Sequence, residues 1–125
     1  MHLGYTLVLP LCAVSPREES VRPFNGRDLA GWTTWLKETG RDDPRRVFRA
    51  EDGMIRISGD GNGYHTSKES YRDYHLVLEC KWARRPEGQK HVRNSGIMLH
   101  AMGKDGSAKG TWVTSIECQL AQGCE

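Results

Sequence analysis

Eleven residues, Tyr74 to Arg84, constrain the fold of this chain more than any other stretch. Tyr74, Leu76, Leu78, Cys80 and Trp82 share one parity, and His75, Val77, Glu79, Lys81 and Ala83 share the other. A strand sends successive side chains to opposite faces, whereas a helix would scatter both sets around its circumference. The alternation predicts a strand over 74–84 with the first set in a core. The period recurs downstream. Around Arg93–His100, Ile97 and Leu99 take one side and Asn94, Gly96, Met98 and His100 the other. Across Trp112–Leu120, Trp112, Ile116, Cys118 and Leu120 share a face opposite Glu117 and Gln119.

No segment carries a convincing helical period. Fourteen glycines and five prolines punctuate a chain that is 37% hydrophobic, a turn-rich composition that suits short strands. Turn signals stand at Asn25-Gly26, Asp52-Gly53, Gly59–Gly63, Pro86–Gly88 and Gly103–Gly110. The expectation is an all-β domain, a sandwich or a barrel, with antiparallel strands near 54–58, 64–68, 74–84, 96–101 and 112–120. Leu76, Leu78, Cys80, Trp82, Ile97, Leu99, Trp112, Ile116 and Cys118 are the expected core.

The net charge of +2 is too near balance to imply a nucleic-acid partner. A local basic block over 81–110 (Lys81, Arg84, Arg85, Lys90, Arg93, Lys104 and Lys109 against Glu87 and Asp105) reads either as a solvated rim or as an attractor of anions. No run approaches the roughly 20 apolar residues of a membrane span. Leu3 to Val14 has about the length of a signal-peptide core but lacks a basic residue before it, other than His2. Residues 1–22 are expected to be an apolar segment and flexible linker that could serve as a signal peptide, with a secreted or periplasmic location expected and a cytoplasmic one left open, and the domain is expected over 23–125. Four cysteines with no pair at zinc-knuckle spacing argue against a metal framework. Cys80 and Cys118 could pair only if their strands were adjacent.

If the last two alternating strands are neighbours with their apolar sides in one core, Asn94, His100, Glu117 and Gln119 gather on the other face. An amide, an imidazole, a carboxylate and a second amide make a polar surface able to bind or catalyse. The plain alternative is a wet face, as one side of an antiparallel sheet usually is. His100 would then face water, Glu117 would pair with a basic neighbour, and Asn94 would serve the turn before Ser95-Gly96.

Five motifs then resemble, in order, a known bacterial family: Phe24-Asn25-Gly26-Arg27-Asp28-Leu29-Ala30-Gly31-Trp32, Glu51-Asp52-Gly53-Met54-Ile55, Tyr71-Arg72-Asp73-Tyr74-His75-Leu76, Asn94-Ser95-Gly96-Ile97 and Ile116-Glu117-Cys118-Gln119-Leu120. The family is the 3-keto-disaccharide hydrolase domain. The resemblance implies a concanavalin A-like jelly-roll sandwich, of which this chain is expected to be the N-terminal part. It also implies cleavage of 3-keto glycosides by removal of the C2 proton and elimination of the C1 substituent. That chemistry makes Glu117 or His100 the candidate base or acid, with Asn94, Gln119 and Arg93 as candidates for holding the sugar. A divalent cation between His100 and Glu117 is an open alternative, since nothing in the spacing selects it. The rival expectations are a non-catalytic carbohydrate-binding module on the same fold, or an inactive fragment. A partial sandwich would also leave a sheet edge or apolar face open to self-association.

Overall fold

The computed structural model describes residues 20–84, 87–88 and 92–122. The described residues form six strands and no helix: β1 Trp32–Leu36, β2 Phe48–Glu51, β3 Met54–Ile57, β4 Gly63–Ser67, β5 Asn94–Met102 and β6 Thr114–Ala121. They pair antiparallel as β1 with β4, β2 with β3 and β5 with β6. This all-β arrangement of small antiparallel sheets is that of part of a jelly roll, as expected.

Local chemistry explains the joins. Asp52 and Gly53 connect β2 to β3 with φ of 52° and 72°. Positive φ at both central residues defines the type I′ turn that matches strand twist, and Asp-Gly is among its preferred pairs. The Asp43 carboxylate accepts the amides of Val47 at 2.8 Å and Phe48 at 2.9 Å, fixing where β2 begins. Before β1, Asn25 Oδ1 accepts the Arg27 and Asp28 amides and Asp28 Oδ1 accepts that of Ala30, an Asx-type turn that delivers Trp32 to the sheet. The Ala30 amide also holds the Asp28 carboxyl below its ordinary range.

The core lies between the β1–β4 pair and β2. Leu36 and Val47 are fully enclosed and Phe48 nearly so, with Leu29 packed against them. Trp32, Thr34 and Leu36 share a face of β1 with His65 of β4, which pairs with Thr34. The His65 imidazole is stacked between Trp32, centroids 5.0 Å apart, and Phe48, 5.2 Å apart. Its Nδ1 lies 3.1 Å from Thr34 Oγ1. Burial between two rings pushes its pKa down to about 4, against a smaller opposite pull from Asp43.

Two sequence expectations are corrected. Residues 74–84 join no hydrogen-bonded ladder, and every residue of the segment is exposed. The expected core is displaced with it: Leu76, Leu78, Cys80, Trp82, Trp112, Ile116 and Cys118 are all exposed, with Ile116 reaching 65%, while Ile97 and Leu99 are half-buried. The physical reason is coverage. Alternation fixes which side chains share a face, but burial needs a second layer, and the apolar face of the β5–β6 pair is open. The expected list also omitted β1 and β2, which carry Leu36 and Phe48. Cys80 and Cys118 are free thiols. The apolar N-terminal segment, Arg85 and Lys90 lie outside the described residues.

Candidate functional site on the β5–β6 face

The register of β5 on β6 sets Gly96 opposite Gln119, Met98 opposite Glu117 and Asn94 opposite Ala121. Directly opposed residues of an antiparallel pair project to the same side. Asn94, Glu117 and Gln119 therefore share one face, and Ile97, Leu99, Ile116 and Cys118 share the other, as the alternation predicted.

On the polar face the side chains meet across the ladder. Gln119 Nε2 donates to Asn94 Oδ1 and, at 3.0 Å, to the Ser95 carbonyl. This double donation sets the amide orientation and leaves Gln119 Oε1 without a donor among the described residues. Glu117 leans over Gly96: a Cβ added there would come within 2.7 Å of Glu117 Cγ and closer still to its carboxylate. The missing side chain at Gly96 thus makes the depression in which the carboxylate rests. All three polar residues are exposed, so the group is a surface platform open to a ligand.

The other two candidates are placed elsewhere. The ladder slips after Leu99, where His100 and Ala101 stand against the single residue Ser115, and His100 takes a φ of 52°. This is a β-bulge with its first residue left-handed, a position glycine usually fills. The bulge takes His100 out of the alternation, and its ring meets Tyr74 with centroids 6.0 Å apart. Arg93 continues the ladder, its carbonyl accepting the Gln122 amide at 2.9 Å, on the parity opposite to Asn94. Its guanidinium donates to Gln122 Oε1 at 3.1 Å and to the Ala83 carbonyl, and lies 5.3 Å from the Trp82 ring centroid. That stacked, hydrogen-bonded guanidinium fastens the 74–84 segment to β5.

The loop between β5 and β6 is pinned to the first sheet. Asp105 accepts the Tyr64 hydroxyl and an Arg41 Nη, both at 2.7 Å. Burial, and then the Asp105 hydrogen bond, push the Tyr64 phenol up to about 12, so Tyr64 remains a donor at all ordinary pH. The Trp35 indole packs on the bare Cα of Gly106, where an added Cβ would sit 3.3 Å from it. Thr111 and Val113, in the same loop, are buried. Sequence reading passed over Asp105 and Tyr64. Asp105 looked like one turn residue in a basic loop, and the only available signal was its isolation among lysines. Among the described residues no three His, Cys, Asp or Glu groups cluster as a metal site.

A family model described as the 3-keto-alpha-glucoside-1,2-lyase-like domain matches residues 19–125. A search of curated proteins and a search of solved structures each return no match.

Proposed function

The chain belongs to the 3-keto-alpha-glucoside-1,2-lyase-like domain family, and from that premise we propose that the polar face of β5–β6 cleaves a 3-keto glycoside. The observation that carries this reading is the Glu117 carboxylate resting over Gly96 beside the fixed Asn94–Gln119 amide pair. A ketone at C3 of a sugar acidifies the C2 hydrogen. Glu117 takes that proton as general base, and the C2–H electron pair becomes the enolate. The enolate then expels the C1 substituent as C1=C2 forms and the C1–O bond breaks. Addition of water to the resulting alkene gives net hydrolysis. This needs a single base and a proton donor, unlike the two-carboxylate oxocarbenium route of ordinary glycosidases. Asn94 Nδ2 and Gln119 Oε1, which have no hydrogen-bond partner among the described residues, are assigned to the sugar hydroxyls. His100, out of the alternation, is assigned the edge of the platform, and Arg93 the strand junction beneath it.

Glu117→Gln keeps shape and hydrogen bonding and removes basicity. Its expected result is a fall of about 10²–10⁴-fold in turnover of a 3-keto glucoside with thermal unfolding unchanged. Near-normal turnover removes Glu117 from the mechanism. A carbohydrate-binding module is the second reading, favoured by the exposure of Trp82 and Trp112, each 39%. It predicts sugar binding without release of the C1 substituent, whatever residue stands at 117. No helix among the described residues is long and apolar enough to cross a membrane.

A further inference from the structure

We propose that residues 74–84 close onto the free edge of β5 as a third strand, and that this brings Glu79 to the site as the acid that protonates the leaving oxygen. The inference rests on the reading of the β5–β6 face given above, and deepens it.

Three observed contacts fix the direction. Tyr74 meets His100 near the end of β5, while Trp82 and the Ala83 carbonyl meet Arg93 just before its start. The segment therefore runs antiparallel to β5, tied at both ends, with no ladder between the ties. The contact of Trp82 with Arg93 also fixes parity. Arg93 shares the side of Ser95, Ile97 and Leu99, so Trp82, Cys80, Leu78 and Leu76 belong to the apolar face. That is the assignment the period-two pattern demands, because one step of slip would turn every apolar residue of the segment to the polar side. With Trp82 opposite Arg93, the pairing continues as Cys80 opposite Ser95, Glu79 opposite Gly96 and Val77 opposite Met98. Lys81 falls opposite Asn94.

The consequence is chemical. Gly96 becomes the floor of a three-stranded platform, with Gln119 and the leaning Glu117 on one side and Glu79 on the other. Adjacent strands lie about 4.8 Å apart, so both carboxylates reach a ligand seated over Gly96. The role requires Glu79 to enter the cycle as the acid and Glu117 as the carboxylate. Glu79 in its acid form gives its proton to the aglycone oxygen as the C1–O bond breaks, while Glu117 holds the proton from C2. When water adds, the Glu79 carboxylate takes a proton from it as its oxygen bonds to C1, and Glu117 returns its proton to C2. Both groups then stand as they began. Lys81, beside Asn94, adds positive charge on the face where the enolate forms.

Two experiments on the full chain test this. The first is Ser95→Cys in a background with Cys12, Cys118 and Cys124 changed to serine. Mild oxidation should form a disulfide to the native Cys80, read by mass and by gel mobility under non-reducing conditions. Asn94→Cys, on the opposite parity, should stay reduced. A reduced Ser95→Cys variant, or equal cross-linking from Asn94→Cys, overturns the strand assignment. The second compares 3-keto glucosides with good and poor leaving groups. Glu79→Gln should lose about 10²-fold or more with an alkyl leaving group and less than about 5-fold with a nitrophenolate, which needs no proton. Glu117→Gln should lose activity on both. Equal loss on both substrates for Glu79→Gln overturns its role as acid. If the unmodified chain cleaves neither substrate, the proposed function fails, and the cross-link still decides the strand.

Discussion

The two halves of the molecule carry the same sequence signal and meet different fates. In the β1–β4 body, Leu36 and Val47 are wholly enclosed and a histidine is shut between two aromatic rings. In the β5–β6 pair, Ile116 is 65% exposed although it stands at an apolar position of an equally regular alternation. The first half hides a polar group in its core; the second spreads Asn94, Glu117 and Gln119 over an open surface. The difference teaches that the same alternation makes a closed core only where other elements fold over it. The two are joined through the Tyr64–Asp105–Arg41 cluster and the Trp35–Gly106 contact.

The comparison predicts unequal costs for truncating the two apolar sets. Leu36→Ala removes a fully buried side chain and should destabilise by about 2–5 kcal/mol in denaturant unfolding, through lost transfer energy and the cavity left behind. A cost below about 1 kcal/mol would show that the body is loosely packed and would dissolve the contrast.

The half-buried imidazole gives the body a pH dependence. The folded pKa of His65, about 4, lies below its ordinary value of 6.5. Between those values the unfolded chain binds more protons, so stability is full above about pH 6.5 and is lost as pH falls toward 4. Partial solvent access discounts the loss to about 1 kcal/mol at pH 5. Melting temperature measured from pH 7 to 5 should fall, and His65→Leu should flatten the slope. An unchanged slope in that variant would place the titrating group elsewhere.

Gly96→Ala tests the depression on the open half. The backbone there tolerates alanine, but the new methyl occupies the space of the Glu117 carboxylate. The atom displaced is the end of a flexible side chain, so stability should change by about 0.5 kcal/mol or less. Turnover of a 3-keto glucoside should fall by up to about 100-fold, because a catalytic group moved by an ångström loses its alignment. Normal turnover would mean that the carboxylate works from another position.

How much of this was legible can be argued from particular residues. The parity of Asn94, Glu117 and Gln119 could be read because period two is a covalent property of extended chain. The bulge at His100 could not, because a non-glycine residue rarely adopts a left-handed φ and nothing nearby announces it. Asp52-Gly53 was visible as a turn because its backbone demand is written in its residue types. Asp105 was not, since its partners Tyr64 and Arg41 lie 41 and 64 residues away in sequence. The enclosed core was missed for the same reason: Leu36 and Val47 stand in short strands or at their margins, and enclosure depends on which elements fold over them.

The smallest expected effect is the most discriminating for the contrast. Ile116→Thr keeps a β-branched side chain suited to a strand and replaces a methyl-bearing carbon by a hydroxyl at an exposed position. If the apolar face of β5–β6 is open, little buried surface is lost, and the change in stability should be within about 0.5 kcal/mol. An open apolar face is also an association surface, so the threonine variant should shift toward the monomer in concentration-dependent sedimentation. A loss of about 2 kcal/mol instead would mean that Ile116 is covered in solution. A concentration-dependent loss would identify the cover as a second copy of the chain, and a concentration-independent loss would identify it as a layer of the same chain. Either result would give the two halves a common architecture and end the distinction between a closed body and an open site.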